Sequence, residues 1–141
     1  MNYLLNTILL LFLLINAWHD LKDRIIVPRI SLWFGAAGIV WHLLQPGPGV
    51  LETLAGILPG LVLFSVSVVF PEELGRGDGY VLMACGIWLG AADTMELLIT
   101  AFILAGAVSL LLLLFRRANR RTSLPFIPFL LAARLLSFTV L

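Results

Sequence analysis

Residues 71–90 read PEELGRGDGYVLMACGIWLG, and this stretch contains the feature around which the whole chain is organised. Asp78 stands in a Gly-x-Gly-Asp tetrapeptide, where a charged segment gives way to a thoroughly apolar one. An ionisable side chain is costly to keep at the edge of a membrane span, so its presence there indicates a functional site. Gly75 and Gly77 allow a tight turn and close backbone approach just before the acid. The alternative is structural, with Asp78 at a helix start whose dipole favours negative charge.

The composition assigns the chain to the integral membrane proteins. Of its 141 residues, 61% are hydrophobic and 12% are charged, whereas soluble domains have about 45–50% and about 25%. Long apolar runs therefore predict transmembrane segments, and the first of them shows no signal-peptide pattern. The single cysteine, Cys85, provides neither a disulfide framework nor a cysteine-based metal site. We expect one domain, residues 1–141, with no metal and no cofactor.

Six apolar stretches predict an all-α bundle of six transmembrane helices. They cover approximately residues 3–18, 30–44, 51–70, 79–89, 95–115 and 126–141. Pro59 lies inside the third stretch and predicts a kink there. The fourth stretch is shorter than the ~20 residues needed to cross the hydrocarbon. We retain it because the distribution of charge requires it.

Basic residues are confined to alternate loops between these stretches. Eight of the nine lie in the first, third and fifth loops, namely Lys22, Arg24, Arg29, Arg76, Arg116, Arg117, Arg120 and Arg121. Because cytoplasmic loops carry the excess of lysine and arginine, these three loops are predicted to be cytoplasmic. Both termini then lie on the non-cytoplasmic side. Without the fourth span, Arg76 and the later arginines would lie on opposite faces.

This topology brings two acids to the same membrane face. Asp20 lies at the cytoplasmic end of the first span and Asp78 at the cytoplasmic start of the fourth. Two carboxyl groups in one partly desolvated site cannot both ionise easily, so one of them keeps a proton. One can then activate a water while its neighbour donates a hydrogen bond to a peptide carbonyl, as in the aspartic proteases. The sequence places the acids at one level but does not show that they touch.

Three motifs carry a resemblance to a known family. Residues 20–28 read DLKDRIIVP, residues 75–81 read GRGDGYV, and residues 124–130 read LPFIPFL. In this order and on this layout, the chain resembles the type IV prepilin peptidases, which are intramembrane aspartic proteases with a Gly-x-Gly-Asp motif. The resemblance covers nearly the whole chain. Two departures stand out: Tyr80 replaces the usual lysine, and Val27 stands where a proline is usual, with Pro28 one place later.

The resemblance implies an activity, a substrate and a set of site residues. It makes Asp20 and Asp78 catalytic, and it assigns motif or substrate-positioning roles to Gly75, Gly77, Lys22, Arg24, Pro125 and Pro128. The substrate would be a prepilin or pseudopilin with a short basic leader, cleaved at the cytoplasmic face of a bacterial or archaeal plasma membrane. The partners would be this substrate and membrane lipid, with no nucleic acid. Because paired Cys-x-x-Cys motifs are absent from this sequence, cleavage without N-methylation is expected.

Several alternatives stay open at this stage. Asp23 competes with Asp20 for the first catalytic position, and the departures at Tyr80 and Val27 also fit an unusual subfamily or an inactive paralogue. The chain fits a non-enzymatic membrane assembly protein or transporter subunit as well, or a related aspartic protease that acts on other membrane-anchored substrates. Arg134, the basic residue deep in a predicted span, should face the interior and pair with an acid. Its candidate partners are Glu52, Asp93 and Glu96, and the role is more simply structural than catalytic.

Overall fold

The structure, a computed structural model, describes residues 3–23, 28–44, 49–70, 75–115 and 125–140, and within these ranges it is built from helices. They are α1 (Tyr3–Asp23), α2 (Pro28–Leu44), α3 (Val50–Val69), α4 (Arg76–Leu89), α5 (Ala91–Leu114) and α6 (Ile127–Val140). The prediction of an all-α chain with six helices is confirmed. The helices that carry the two acids are longer than their apolar stretches, since α1 continues past Trp18 to Asp23 and α4 begins at Arg76.

Three of the helices are long and apolar enough to cross a membrane. The candidate spans are Tyr3–Lys22, Val50–Val69 and Ala91–Leu114. Helices α2, α4 and α6 are shorter, with 17, 14 and 14 residues. Large apolar side chains are exposed along the outer face of the bundle, as expected of a surface that contacts lipid. The crossing of the membrane by all six helices, and the side on which each terminus lies, stay predictions.

Helix α4 is the centre of the bundle. It contacts α1, α2, α3 and α5, and Val81, Leu82 and Cys85 on it are completely buried. Nine of the 14 residues of this helix are buried, so most of its surface contacts neighbouring helices. The acid at its first turn is thereby held in the interior of the bundle.

Glycines allow α3 and α4 to approach each other closely. Gly56 of α3 packs against the backbone of Gly86, and Gly60 packs against Met83. At the other end of the interface, a Cβ added at Gly79 would lie 2.6 Å from the Cβ of Phe64. Small residues bring backbones together in this way where lipid supplies no hydrophobic driving force between helices. The start of α4 is therefore fixed in position relative to α3.

Aromatic packing and α6 complete the bundle. Phe12 of α1 stacks on Phe34 of α2, with ring centroids 3.9 Å apart, and Phe34 stacks on Trp88 of α4 at 5.1 Å. The indole Nε1 of Trp88 donates a hydrogen bond to the Phe34 carbonyl oxygen at 3.0 Å. Helix α6 packs against both α1 and α5 and buries Ile127 fully. The end of α1 and the starts of α4 and α6 consequently meet at one end of the bundle.

Candidate active site

Asp20 lies in the last turn of α1 with its side chain directed into the bundle. The residue is 7% exposed, and Ala17, one turn earlier on the same face, is 3% exposed. Its Oδ2 accepts a hydrogen bond from the backbone N–H of Ile127, the first residue of α6, at 3.3 Å. A buried carboxylate needs such a donor, because burial without one costs several kcal/mol, roughly 2–7 for a neutral polar group and more for a charge. The third motif of the sequence thus contacts the first.

Asp78 lies in the first turn of α4 and is 5% exposed. Gly75 is the N-cap residue, and its carbonyl oxygen accepts the Asp78 N–H at 3.1 Å. The Gly75 backbone in turn hydrogen-bonds the Asp78 carboxyl group. The contact of the carboxyl group with the Gly75 backbone corresponds to one half of a capping box, in which an acid at the third helical position satisfies the N-cap amide. The structural alternative weighed from the sequence is therefore realised, and the same carboxyl group remains available for chemistry.

Gly75 also leaves room beside the acid. A Cβ added at Gly75 would lie 3.3 Å from Oδ2 of Asp78. That distance is tighter than most real Cβ contacts, so any side chain here would crowd the carboxyl group. Gly77 is half-buried in the same turn. At positions 75 and 77, on either side of Arg76, the motif therefore adds no side chain near Asp78.

The two acids, distant in sequence, lie together in the fold. The Asp20 carboxyl group acts electrostatically on that of Asp78, and helices α1 and α4 are in contact. Both side chains are more than nine-tenths buried. The structure therefore brings the predicted pair into one buried site, which we call the carboxyl pair. Two buried carboxyl groups that interact in this way cannot both ionise easily.

The other residues assigned by resemblance differ in their exposure, and one of them lies outside the described residues. Lys22 is exposed at the end of α1, while Pro125 and Pro128 are half-buried at the start of α6. Arg24 lies outside the described residues, as does the side chain of the rival acid Asp23. Within the described part of the chain, no group of three or more His, Cys, Asp or Glu side chains is arranged to hold a metal ion. The expected independence from metal remains a prediction.

Sequence reasoning missed two polar groups that belong to this region. The first is the Ile127 amide, a backbone group with no side-chain signature; the signal available was its position between two prolines. The second is Asn16, which is 2% exposed one turn before Asp20 and donates to the Phe12 carbonyl oxygen at 2.8 Å. A polar residue on the same helical face as the acid, in an otherwise apolar run, was the signal for it.

A second polar cluster lies at the other end of α1. Arg134 of α6 is 6% exposed, and its Nη2 donates a hydrogen bond to Oδ1 of Asn6. Asp93 and Glu96 of α5 interact electrostatically with the guanidinium group. Two of the three acids predicted as partners are thus near Arg134. The third, Glu52, lies against Gly90. This cluster joins α1, α5 and α6 far from the carboxyl pair.

Comparison with known proteins agrees with the motifs. Residues 7–111 match the type IV leader peptidase family. A prepilin leader peptidase/N-methyltransferase from Xanthomonas campestris pv. campestris is 25% identical over 131 residues, which cover 86% of this chain and 45% of the relative. The chain thus spans less than half the length of that relative. No solved structure matches. The family match extends over more than half of the sequence, and the chain therefore belongs to the type IV leader peptidase family.

Proposed function

We propose that this chain is a membrane aspartic endopeptidase that removes the short, positively charged leader from type IV prepilins or pseudopilins. One observation carries the proposal: Asp20 and Asp78, from two different helices, form a buried carboxyl pair in a member of the type IV leader peptidase family. The proposed location is the plasma membrane of a bacterial or archaeal cell, which the chain crosses several times. The proposal concerns cleavage alone, because this sequence has one cysteine and no paired Cys-x-x-Cys motif.

The carboxyl pair has the groups that peptide hydrolysis needs. One carboxylate takes a proton from a water molecule as the water oxygen attacks the scissile carbonyl carbon, and the neighbouring carboxylic acid gives its proton to the carbonyl oxygen. The product of this step is a neutral gem-diol. The first acid then protonates the amide nitrogen as the C–N bond breaks, and the second carboxylate takes a proton back from the gem-diol. The products are a carboxylic acid and an amine, and the pair returns to its starting state.

The membrane determines where the substrate lies in this proposal. The proposed orientation follows the positive-inside rule: the ends of α1 and α4 that carry Asp20 and Asp78 adjoin the basic loops and would lie on the cytoplasmic side. The apolar helix of a prepilin would lie in the bilayer, with its leader in the cytoplasm and its cleavage site at the level of the pair. The substrate backbone at the cleavage site must be non-helical, so its N–H and C=O groups need water or protein as hydrogen-bond partners. The substrate must therefore reach the pair through a polar opening rather than through lipid.

A cleavage assay in membranes tests the proposal. A prepilin-type substrate is co-expressed with the wild-type chain, and its shift on a gel and its new N-terminus are determined. A matched substrate whose leader lysines and arginines are replaced by glutamines controls for recognition of charge. We expect a shift for the first substrate, insensitive to a metal chelator, and a weaker one for the second. If neither substrate is cut but other membrane-anchored proteins are, a related aspartic protease is favoured. If cleavage requires added zinc, the carboxyl-pair mechanism is wrong.

A further inference from the structure

Helix α6 begins with an unusual set of backbone donors. The Phe129 and Leu130 amides both donate to the Phe126 carbonyl oxygen, at 3.0 and 3.3 Å, and Pro128 has no N–H. A helix start normally leaves several amides without intrahelical partners. Among the first four residues of α6, only the N–H of Ile127 is left over. The sequence between the two prolines therefore offers one backbone donor at this point.

That donor meets Asp20. The Ile127 N–H lies 3.3 Å from Oδ2 of Asp20, and both residues are buried, so bulk water does not compete for the contact. Asp20 itself lies in the last turn of α1, where the helix dipole disfavours negative charge. The N-terminus of α6 presents the opposite, favourable end of a dipole to the same carboxyl group. The positive end of the α6 dipole thus offsets the unfavourable effect of the α1 dipole on a negatively charged Asp20.

We propose that the backbone N–H of Ile127 is a positioning group for Asp20, because its hydrogen bond to Oδ2 holds the carboxyl group in a fixed orientation. The inference rests on the proposed function, because it deepens the role of the same carboxyl pair. It also goes beyond the family match, which ends at residue 111, whereas α6 covers Ile127–Val140. Helix α6 thus contributes a hydrogen-bond donor to the site.

The proposal makes a specific demand on position 127. Since the group in question is a backbone amide, any residue that keeps the N–H satisfies the requirement, and proline does not. Proline is well tolerated at the first position of a helix, so Ile127→Pro removes the donor without interrupting α6. Its Cδ takes the place of the amide hydrogen and displaces Oδ2 of Asp20 from its present position. Ile127→Ala removes most of the side chain but keeps the donor. The two variants separate the amide from the packing of the isoleucine.

The first test compares the pH dependence of cleavage by these variants in purified protein. Loss of a hydrogen bond to a charged group shifts an ionisation by about one pH unit. We expect the acid limb of the rate profile of Ile127→Pro to lie about one pH unit above that of Ile127→Ala, with KM unchanged. Arg134→Met, which disturbs α6 at its other end, should leave the acid limb in place. Coincident acid limbs for Ile127→Pro and Ile127→Ala would overturn the proposal.

A second measurement uses the native amide and does not depend on whether Ile127→Pro folds. Protein labelled with ¹⁵N-isoleucine is titrated, and the Ile127 signal is assigned by its loss in Ile127→Val. We expect the chemical shift of the Ile127 amide proton to change with pH as the carboxyl pair ionises. This pH dependence should persist in Asp78→Asn and vanish in Asp20→Asn. An amide that does not titrate, or that follows Asp78 instead, contradicts the proposal. Because this readout requires no substrate, it stands even if the wild-type chain fails to cut a prepilin, which would overturn the proposed function alone.

Discussion

Gly79 lies beside the carboxyl pair, and we expect the addition of a single methyl group at this position to reduce both stability and cleavage. It follows Asp78 in the first turn of α4 and packs against α3. A Cβ added there would lie 2.6 Å from Cβ, 2.8 Å from Cα and 2.9 Å from the backbone nitrogen of Phe64. All three atoms are retained when Phe64 is shortened to alanine. The substitution Gly79→Ala can therefore be accommodated only if the two helices move apart.

The size of that movement follows from the contact distances. The start of α4 must shift by about 0.8 Å to bring the closest pair of carbon atoms to 3.4 Å, the lower edge of ordinary van der Waals contact. Overpacking of a filled interface costs about 1–3 kcal/mol of stability. A misplacement of about 1 Å at a reacting group lowers a rate by about 10²-fold. We expect Gly79→Ala to reduce both stability and cleavage, and cleavage by far the more.

The assay has a matched control in the same chain. Gly106 lies within α5, and a Cβ added there would meet no other atom within 4 Å. Gly106→Ala should therefore stabilise slightly or have no effect, because alanine is favoured over glycine in a helix by about 0.5–1 kcal/mol. Initial cleavage rates and thermal unfolding in detergent are measured for both variants and for Gly79→Ala/Phe64→Ala, which should not recover activity. Wild-type cleavage by Gly79→Ala, or recovery in the double variant, would refute the close approach of α3 and α4.

Three further predictions concern residues other than the two acids. Arg134→Met should lower the free energy of unfolding by about 1–3 kcal/mol, since it leaves the buried Oδ1 of Asn6 without its donor. Arg29→Met at an exposed position should change it by less than about 0.5 kcal/mol; equal effects would contradict the buried cluster. Trp88→Phe removes the indole donor to the Phe34 carbonyl and should cost about 1 kcal/mol, measured by denaturation in detergent. Tyr80→Phe should cleave at nearly the wild-type rate, because it keeps the ring that packs against Phe64, with ring centroids 5.0 Å apart. A large loss of cleavage would assign a role to the hydroxyl group.

Much of the architecture is legible in the sequence, because hydropathy and charge each leave a periodic signal. Six apolar stretches correspond to six helices, and the alternation of basic loops requires the short fourth one. The positions of Asp20 and Asp78 at the ends of two apolar runs predict that they share one face. The ends of the helices at these two acids were harder to predict from the sequence. Helix α1 continues through polar residues to Asp23, since its last turn, where Lys22 is exposed, need not be apolar.

The contacts that complete the site could not be read from the sequence. The donor to Asp20 is the amide of Ile127, and a backbone group is the same at every non-proline residue. The partner of Arg134 expected on grounds of charge was an acid, and the fold adds a neutral one, Asn6, from the far end of the chain. Both contacts depend on how α6 packs against α1. That packing is set by side-chain shape along two apolar faces, for which a single sequence gives no pairing signal.

The central claim is that Asp20 and Asp78 act together to cut a peptide bond. Its most direct test is cleavage of a prepilin-type substrate by purified wild type, Asp20→Asn and Asp78→Asn, with Asp23→Asn as the control for the neighbouring acid. Asparagine keeps the size of the side chain, so equal abundance and equal thermal unfolding can be required of all four proteins. We expect cleavage to be lost in Asp20→Asn and in Asp78→Asn and retained in Asp23→Asn. Cleavage that survives in either of the first two, or that disappears only in Asp23→Asn, would contradict that claim.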